Sequence, residues 1–240
     1  MEKITICYLS WKRNAIFEQT LKSHQINGLF DLIPNKLIFF QEISEQDKQL
    51  AKKYNCKYIG NEKNIGILCA FIELIKNCKT DHFIFCENDW NLIESKEITN
   101  GILEDALKLS ENDIIVKLRH RKNPGEPLYS KPKDIDEWLK HDQSNFPYKL
   151  ESLSWVNFNF YPNFDTIQLN YKWYITTLEH QRWSNNVFMC KKNENFKLLE
   201  NYKNTDLYLG LEDVLINQLK LNMKIAGGEG LFTHLDKIVN

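Results

Sequence analysis

The chain has 240 residues, 42% hydrophobic and 26% charged, with 31 Lys and Arg against 32 Asp and Glu, a length that suits one large globular domain. Near-zero net charge argues against a sequence-independent nucleic-acid binder driven by counterion release and leaves room only for a local basic patch. Nine Gly and six Pro are too few for a collagen-like, linker-rich or disordered chain.

The opening run Ile4-Thr5-Ile6-Cys7-Tyr8-Leu9 is too short and too early for a signal peptide's hydrophobic region and predicts a strand over 3–9. Residues 14–29 then place Phe17, Leu21 and His24 on one helical face. Leu37-Ile38-Phe39-Phe40, within 36–41, is a continuous apolar run of the kind buried on both faces of a parallel sheet. Ser44-Glu45-Gln46-Asp47 resembles a capping box and predicts a helix start. A short strand over 57–59 precedes a helix with Ile67, Leu68, Phe71, Ile72 and Ile75 at a 3.6-residue period, and His82-Phe83-Ile84-Phe85-Cys86 is a second buried strand. A helix over 96–110 and a strand over 114–118 complete the alternation.

This order implies a mostly parallel central sheet flanked by helices, because parallel strands need crossover connections. Ligands of such sheets bind beyond the carboxyl ends of the strands. The segments to inspect are therefore Ser10 to Arg13, Glu42, Gly60 to Gly66 and Glu87 to Trp90.

From 119 to 186 the sequence is loop-rich and aromatic. It opens with the basic cluster Arg119-His120-Arg121-Lys122, either a solvated surface or a phosphate contact, and includes an alternating Trp155 to Phe160 strand. A strand over 187–190 and helices near 194–203 and 211–222 follow. Residues 1–118 read as a nucleotide-type α/β half and 119–240 as a substrate-facing half of one domain. No segment approaches the roughly twenty apolar residues of a membrane helix, so a cytoplasmic protein without a transmembrane segment is expected. Cys7, Cys56, Cys69, Cys78, Cys86 and Cys190 lack paired spacing, which points to reduced thiols. Cys78, His82 and Cys86 stand at four-residue steps and raise a zinc reading that lacks a fourth ligand.

The stretch carrying most chemistry is Phe83 to Trp90, where a buried strand delivers Glu87 and Asp89 to the mouth of the sheet. Carboxylates at a strand end suit a hard divalent cation that keeps positions open for phosphates, and equally suit a turn or helix cap. Near the other end, Glu212 and Asp213 open an amphipathic helix, where carboxylates are favoured by the helix dipole alone. His234 is either an ordinary buried histidine or, with Asp89, half of a mixed carboxylate and imidazole site that fits Mn better than Ca. Glu42 is either a solvated turn before the Ser44 cap or a polar group at the ligand end of the sheet.

These motifs, in this order, resemble a glycosyltransferase of the GT-A fold, in the broad family 2-like group, and more closely the small single-domain enzymes of that type in large DNA viruses. Asn64-Ile65-Gly66, an apolar helix and a strand ending in Glu87-Asn88-Asp89 are similar to the family's Asn-x-Gly, helix and Asp-x-Asp progression. Leu211-Glu212-Asp213 resembles the motif of the catalytic base, and His234 matches a C-terminal metal-binding histidine. Glu87 departs from the family's usual Asp, so it would reach the metal through water or bind the ribose instead, and Asp89 is the better ligand.

The resemblance implies Mn2+ or Mg2+ held by Asp89 and His234 with Glu87, a nucleotide-sugar donor, preferably a UDP-sugar, and a carbohydrate or glycoconjugate acceptor. It implies that Ser10, Arg13, Glu42, Asn64, Gly66, Glu87, Asn88, Asp89 and Arg119 surround the donor and that Asp213 beside Glu212 is the general base of an inverting displacement. Trp155, Trp173 and Trp183, with Asn185 and Asn186, suit the flat faces and hydroxyl rims of sugars, although most of the aromatics in this stretch are expected to be core packing. No phosphate-binding Gly-x-x-x-x-Gly-Lys loop and no Gly-x-Gly-x-x-Gly follows a strand. The alternatives are a nucleotidyltransferase or metal-dependent phosphohydrolase using the same Asp89, or a non-catalytic carbohydrate- or nucleotide-binding module.

Overall fold

The computed structural model describes residues 1–120, 165–178, 185–192, 196 and 222–235. Its elements begin with β1 (Ile4–Trp11), α1 (Asn14–Ile26), α2 (Leu29–Leu32), β2 (Asn35–Gln41), α3 (Glu45–Lys53) and β3 (Lys57–Asn61). They continue with α4 (Gly66–Asn77), β4 (His82–Glu87), β5 (Trp90–Leu92), α5 (Lys96–Glu111) and β6 (Ile115–Arg119). Then come β7 (Asp165–Gln168), β8 (Lys172–Thr177), β9 (Phe188–Lys191) and β10 (Lys224–His234). Among the described residues the strands form one sheet in the order β3-β2-β1-β4-β9-β6-β10-β8-β7, with β5 paired to β10.

The buried runs behave as their composition requires. In β2, Ile38 and Phe40 enter the core under α1, α3 and α5, whereas Leu37 and Phe39 enter the core under α4. Alternate residues thus fill opposite faces of a sheet covered on both sides. Ser44 accepts from the Asp47 N–H while the Asp47 carboxylate accepts from the Ser44 N–H, so the expected capping box starts α3.

Parallel pairing joins β1 to β2, β2 to β3 and β1 to β4. The later strands depart from the parallel expectation: β9 runs antiparallel to both β4 and β6, and β7, β8 and β10 form an antiparallel run. Short connections such as the one between β7 and β8 permit only antiparallel pairing. Sequence periodicity missed β5, β7 and β8, which are short or alternate weakly. The chain reverses its direction of growth across β1, with β2 on one side and β4 on the other, so a crevice opens at the carboxyl ends of β1 and β4.

Two expectations are corrected. His82 and Cys86 both lie on the extended strand β4, where a four-residue step spans roughly 13 Å, and among the described residues no three His, Cys, Asp or Glu side chains converge on a point. The zinc reading therefore fails, and all six cysteines are free. Trp173 offers no face to a sugar: it is fully buried, and its Nε1 donates to Asp105 at 3.1 Å. The strand expected at 155–160 lies outside the described residues, as do all but residue 222 of the helix expected at 211–222 and all but Phe196 of the helix expected at 194–203. Among the described residues no helix is long and apolar enough to cross a membrane.

Candidate active site

The crevice is built from the loop after β1, the turn after β4 and the end of β10. Lys12 and Arg13 both adopt left-handed backbone, with φ of 55° and 59°, a conformation unfavourable for side chains of their size. The turn is tied from outside. Asn88 Nδ2 donates to Ser10 Oγ at 3.3 Å and to the Lys12 carbonyl at 3.4 Å, and the Thr20 hydroxyl donates to the Asn88 carbonyl at 3.0 Å. Strain held in place by surrounding structure is characteristic of functional loops.

That turn carries Arg13 to Asp89, with Nη1 donating to Oδ2 at 3.0 Å. From the far end of the chain, His234 brings Nε2 within 3.3 Å of the same Oδ2. The approach depends on β10, whose pairing with β6 shifts register between Gly227 and Phe232. Gly230 sits in the bulge at φ 78°, and a Cβ there would lie 1.9 Å from the Arg119 carbonyl oxygen, so glycine is required. Beyond the bulge, β10 pairs with β5, which sets His234 opposite Trp90, and the Leu235 N–H donates to the Asp89 carbonyl at 2.7 Å.

Burial pushes the Asp89 carboxyl up, but the hydrogen bond and charge of His234 and the Arg13 guanidinium outweigh it and hold the group below the usual carboxylate range. Asp89 Oδ1 and His234 Nδ1 are buried without a hydrogen-bond partner. A carboxylate and an imidazole that meet at 3.3 Å, each with a further buried polar atom left open, are donors of the kind that suit a divalent transition-metal ion, and the remaining coordination positions would fall to substrate oxygens and water. The residues present therefore fit the metal that the sequence implies. Glu87 ends β4, whereas Asp89 lies in the turn beyond it, and no three-residue ligand group forms among the described residues. Glu87, expected to reach the metal through water or to bind the ribose, is half-buried at the end of β4.

Around this pair the structure gathers several of the expected residues. The Trp90 ring meets the His234 ring edge to face at 5.0 Å, and the Arg119 guanidinium lies 6.0 Å from the Trp90 ring centre. Arg119 Nη1 also donates to Asn186 Oδ1 at 3.4 Å. Glu42 adopts φ 53° and its carboxylate pairs with Lys12 Nζ at 2.8 Å, a hydrogen bond that holds its pKa below the usual carboxylate range. The Lys12 ammonium also lies 5.2 Å from the centre of the Trp11 ring, which is 47% exposed.

At the start of α4, Asn64 Oδ1 accepts from the Gly66 N–H at 2.8 Å, and Gly66 has φ 79°. Gln41 Oε1 accepts from the Ile65 N–H at 2.8 Å and so fixes this loop against β2. Sequence reasoning missed Gln41 and the positioning role of Thr20. A polar residue closing an apolar strand was the available signal for Gln41. Among the other expected residues, Asn185 is described and half-buried, while Glu212, Asp213 and Trp183 lie outside the described residues. His120 meets Glu94 at 2.8 Å rather than the Asp89 pair.

No protein-family model and no curated protein sequence matches the chain. Solved structures do. A mannosyltransferase from Pyrobaculum calidifontis, solved in complex with GDP-Man and Mn2+, aligns at TM-score 0.53 and 10% identity over 93% of this chain and 53% of that one. The chain thus spans about half the length of that enzyme. Glucosyl-3-phosphoglycerate synthase from Mycobacterium tuberculosis, with Mn2+, UDP and glucosyl-3-phosphoglycerate, aligns at 0.53 and 15% identity over 97% of this chain and 72% of that one. S. aureus TarS aligns at 0.54 and 14% identity over 97% and 60%. At such identities the likeness is one of fold: this chain has the mixed α/β fold of the GT-A glycosyltransferases.

Proposed function

We propose that the chain is a metal-dependent glycosyltransferase that moves a sugar from a nucleoside diphosphate, preferably uridine diphosphate, to an acceptor hydroxyl with inversion. The observation that carries this reading is the convergence of Asp89 and His234, 3.3 Å apart with an open Oδ1 and Nδ1, at the carboxyl ends of β1 and β4. In this reading residues 1–118 bind the nucleotide and 119–240 contribute the sugar and acceptor side.

Asp89 and His234 would hold Mn2+ or Mg2+, whose charge stabilises the diphosphate as it leaves. Arg13 and Arg119 would donate charge-assisted hydrogen bonds to phosphate oxygens. Ser10, Asn88 and the Asn64-Ile65-Gly66 loop shape the nucleotide side of the crevice, and Glu42, held ionised by Lys12, would accept a base N–H. Asn185 and Asn186 would bind sugar hydroxyls beside Trp183. Asp213, assigned from its motif beside Glu212, would take the proton from the acceptor hydroxyl as it attacks the anomeric carbon. One base and one in-line displacement leave no covalent intermediate and invert the configuration. A carbohydrate or glycoconjugate is the expected acceptor.

The test is binding of a panel of nucleoside diphosphates and nucleotide sugars with and without Mn2+, followed by thermal shift and calorimetry on wild type and Asp89→Ala. One diphosphate should stabilise the wild type only with metal, by about 2.7 kcal/mol at a hundredfold excess over Kd. Absence of nucleotide binding in folded protein would overturn the reading.

A further inference from the structure

The carboxylate assigned to the metal carries a second cation. Arg13 Nη1 donates to Asp89 Oδ2 at 3.0 Å, and His234 Nε2 lies 3.3 Å from the same oxygen. The Asp89 side chain is 9% exposed, so the ion pair is shielded from bulk water at that end, whereas the Arg13 side chain is 40% exposed and reaches it from the surface. An ion bound through either oxygen of so small a group comes within a few ångströms of the guanidinium. Like charges that close repel strongly where the effective dielectric is well below that of water.

The contact belongs to the Arg13 side chain alone. Its carbonyl accepts from the Ile16 and Phe17 N–H groups, both at 3.0 Å, which fixes its backbone to the first turn of α1. Asn88 Nδ2 holds the preceding Lys12 carbonyl at 3.4 Å. Rotation about the Arg13 side-chain torsions therefore releases Asp89 without disturbing the turn. Lys12 is an internal comparison: it shares the left-handed turn and the charge, but its ammonium pairs with Glu42 at 2.8 Å instead. Arginine suits an exchangeable clamp because its planar fork binds carboxylate and phosphate in the same way.

Resting on the metal and diphosphate reading above, we propose that Arg13 and the divalent ion exchange places on Asp89, so that ion and nucleotide enter the site as a pair. Without nucleotide the guanidinium holds the carboxylate against the ion. A diphosphate, with more negative charge than one carboxylate, draws the guanidinium away and leaves Asp89 to the ion. Each ligand thereby raises the affinity of the other by the same factor, beyond what direct contact between ion and phosphate supplies. A site guarded in this way holds divalent ions weakly until substrate arrives.

The experiment strips the full chain of divalent ions with a chelator and titrates Mn2+ without nucleotide, following free Mn2+ by electron paramagnetic resonance. Arg13→Gln should bind Mn2+ about tenfold more tightly than wild type, the gain expected when a clamp closed about nine-tenths of the time is removed. Lys12→Gln, which takes an equal but exposed and screened charge from the same turn, should stay within about threefold of wild type. With saturating uridine diphosphate the advantage of Arg13→Gln should vanish, while its diphosphate affinity falls about tenfold for want of a charge-assisted hydrogen bond. Mn2+ binding in Arg13→Gln no tighter than in a wild type that does bind Mn2+ would overturn the exchange and leave the metal reading standing. An equal gain in Lys12→Gln would reveal a general field effect and overturn it too. Mn2+ bound by neither wild type nor variant, with or without diphosphate, would overturn the metal reading and the exchange together. Arg13→Met, which keeps the apolar stem, decides the matter where the glutamine variant fails to fold.

Discussion

His234 Nε2 lies 3.3 Å from Asp89 Oδ2, although the two residues come from the last described strand and from the turn after β4. The adjoining backbone makes the meeting structural as well as chemical, because the Leu235 N–H donates to the Asp89 carbonyl and His234 pairs in register with Trp90. Each of Asp89→Ala and His234→Ala should weaken metal-dependent diphosphate binding by tenfold or more, about 1.4 kcal/mol per tenfold. Because both act through one ion, the double variant should lose little beyond the worse single one. Additive losses in a calorimetric double-mutant cycle would show that the residues act separately.

The Asp89 carboxyl is held below its unfolded value, so its contribution to stability is present above the unfolded pKa of about 4 and is lost as pH falls through the folded value. His24 behaves differently. It accepts from the Tyr8 hydroxyl at 2.6 Å and donates to the Trp90 carbonyl at 2.9 Å, and burial brings its pKa down to about 3. A neutral buried histidine stabilises fully above the unfolded pKa of about 6.5, and that stability declines as pH falls toward the folded value. Between pH 6.5 and 5 the loss should approach about 2 kcal/mol. Urea unfolding at both pH values would detect it, and His24→Gln should flatten the difference.

Gly230→Ala should be among the most damaging single-methyl changes in the chain. The new Cβ would meet the Arg119 carbonyl at 1.9 Å from a backbone at φ 78°. Relief requires moving β10 away from β6, which withdraws His234 from Asp89. A loss of about 3 kcal/mol or more is expected, together with loss of metal-dependent nucleotide stabilisation. Denaturant midpoints and the thermal-shift assay check the two consequences independently. Wild-type behaviour in both would show that β10 accommodates the methyl.

Asp105 is fully buried and its carboxylate accepts from the backbone N–H groups of Asn170 and Tyr171 and from Trp173 Nε1, at 3.2, 2.8 and 3.1 Å. It fastens the turn between β7 and β8 to α5. Asp105→Ala strands the buried Trp173 Nε1 and two part-buried backbone donors and should destabilise the fold by about 2–3 kcal/mol, while Asp105→Asn, with one acceptor oxygen, should lie between. If the alanine variant melts with the wild type, the anchor is not required.

The first half of the fold was legible because its information is local. Continuous runs such as Leu37 to Phe40 announce strands buried on both faces, Ser44 and Asp47 announce a helix start, and a 3.6-residue apolar period announces α4. The same order of strands located the loops after β1 and β4, and so Ser10, Arg13 and Asp89, before any geometry was known. Long-range pairing was not legible. That Trp173 seals a core against Asp105 and that Gln41 grips the Ile65 N–H depend on which segments meet in space. Above all, the sequence by itself supplied a carboxylate and an imidazole as candidate ligands, whereas the bulge at Gly230 and the switch of β10 from β6 to β5 decided that they meet. The physical reason is that residue type and spacing encode which groups a segment can offer, while register between distant strands is settled only when the whole sheet has closed around its two cores.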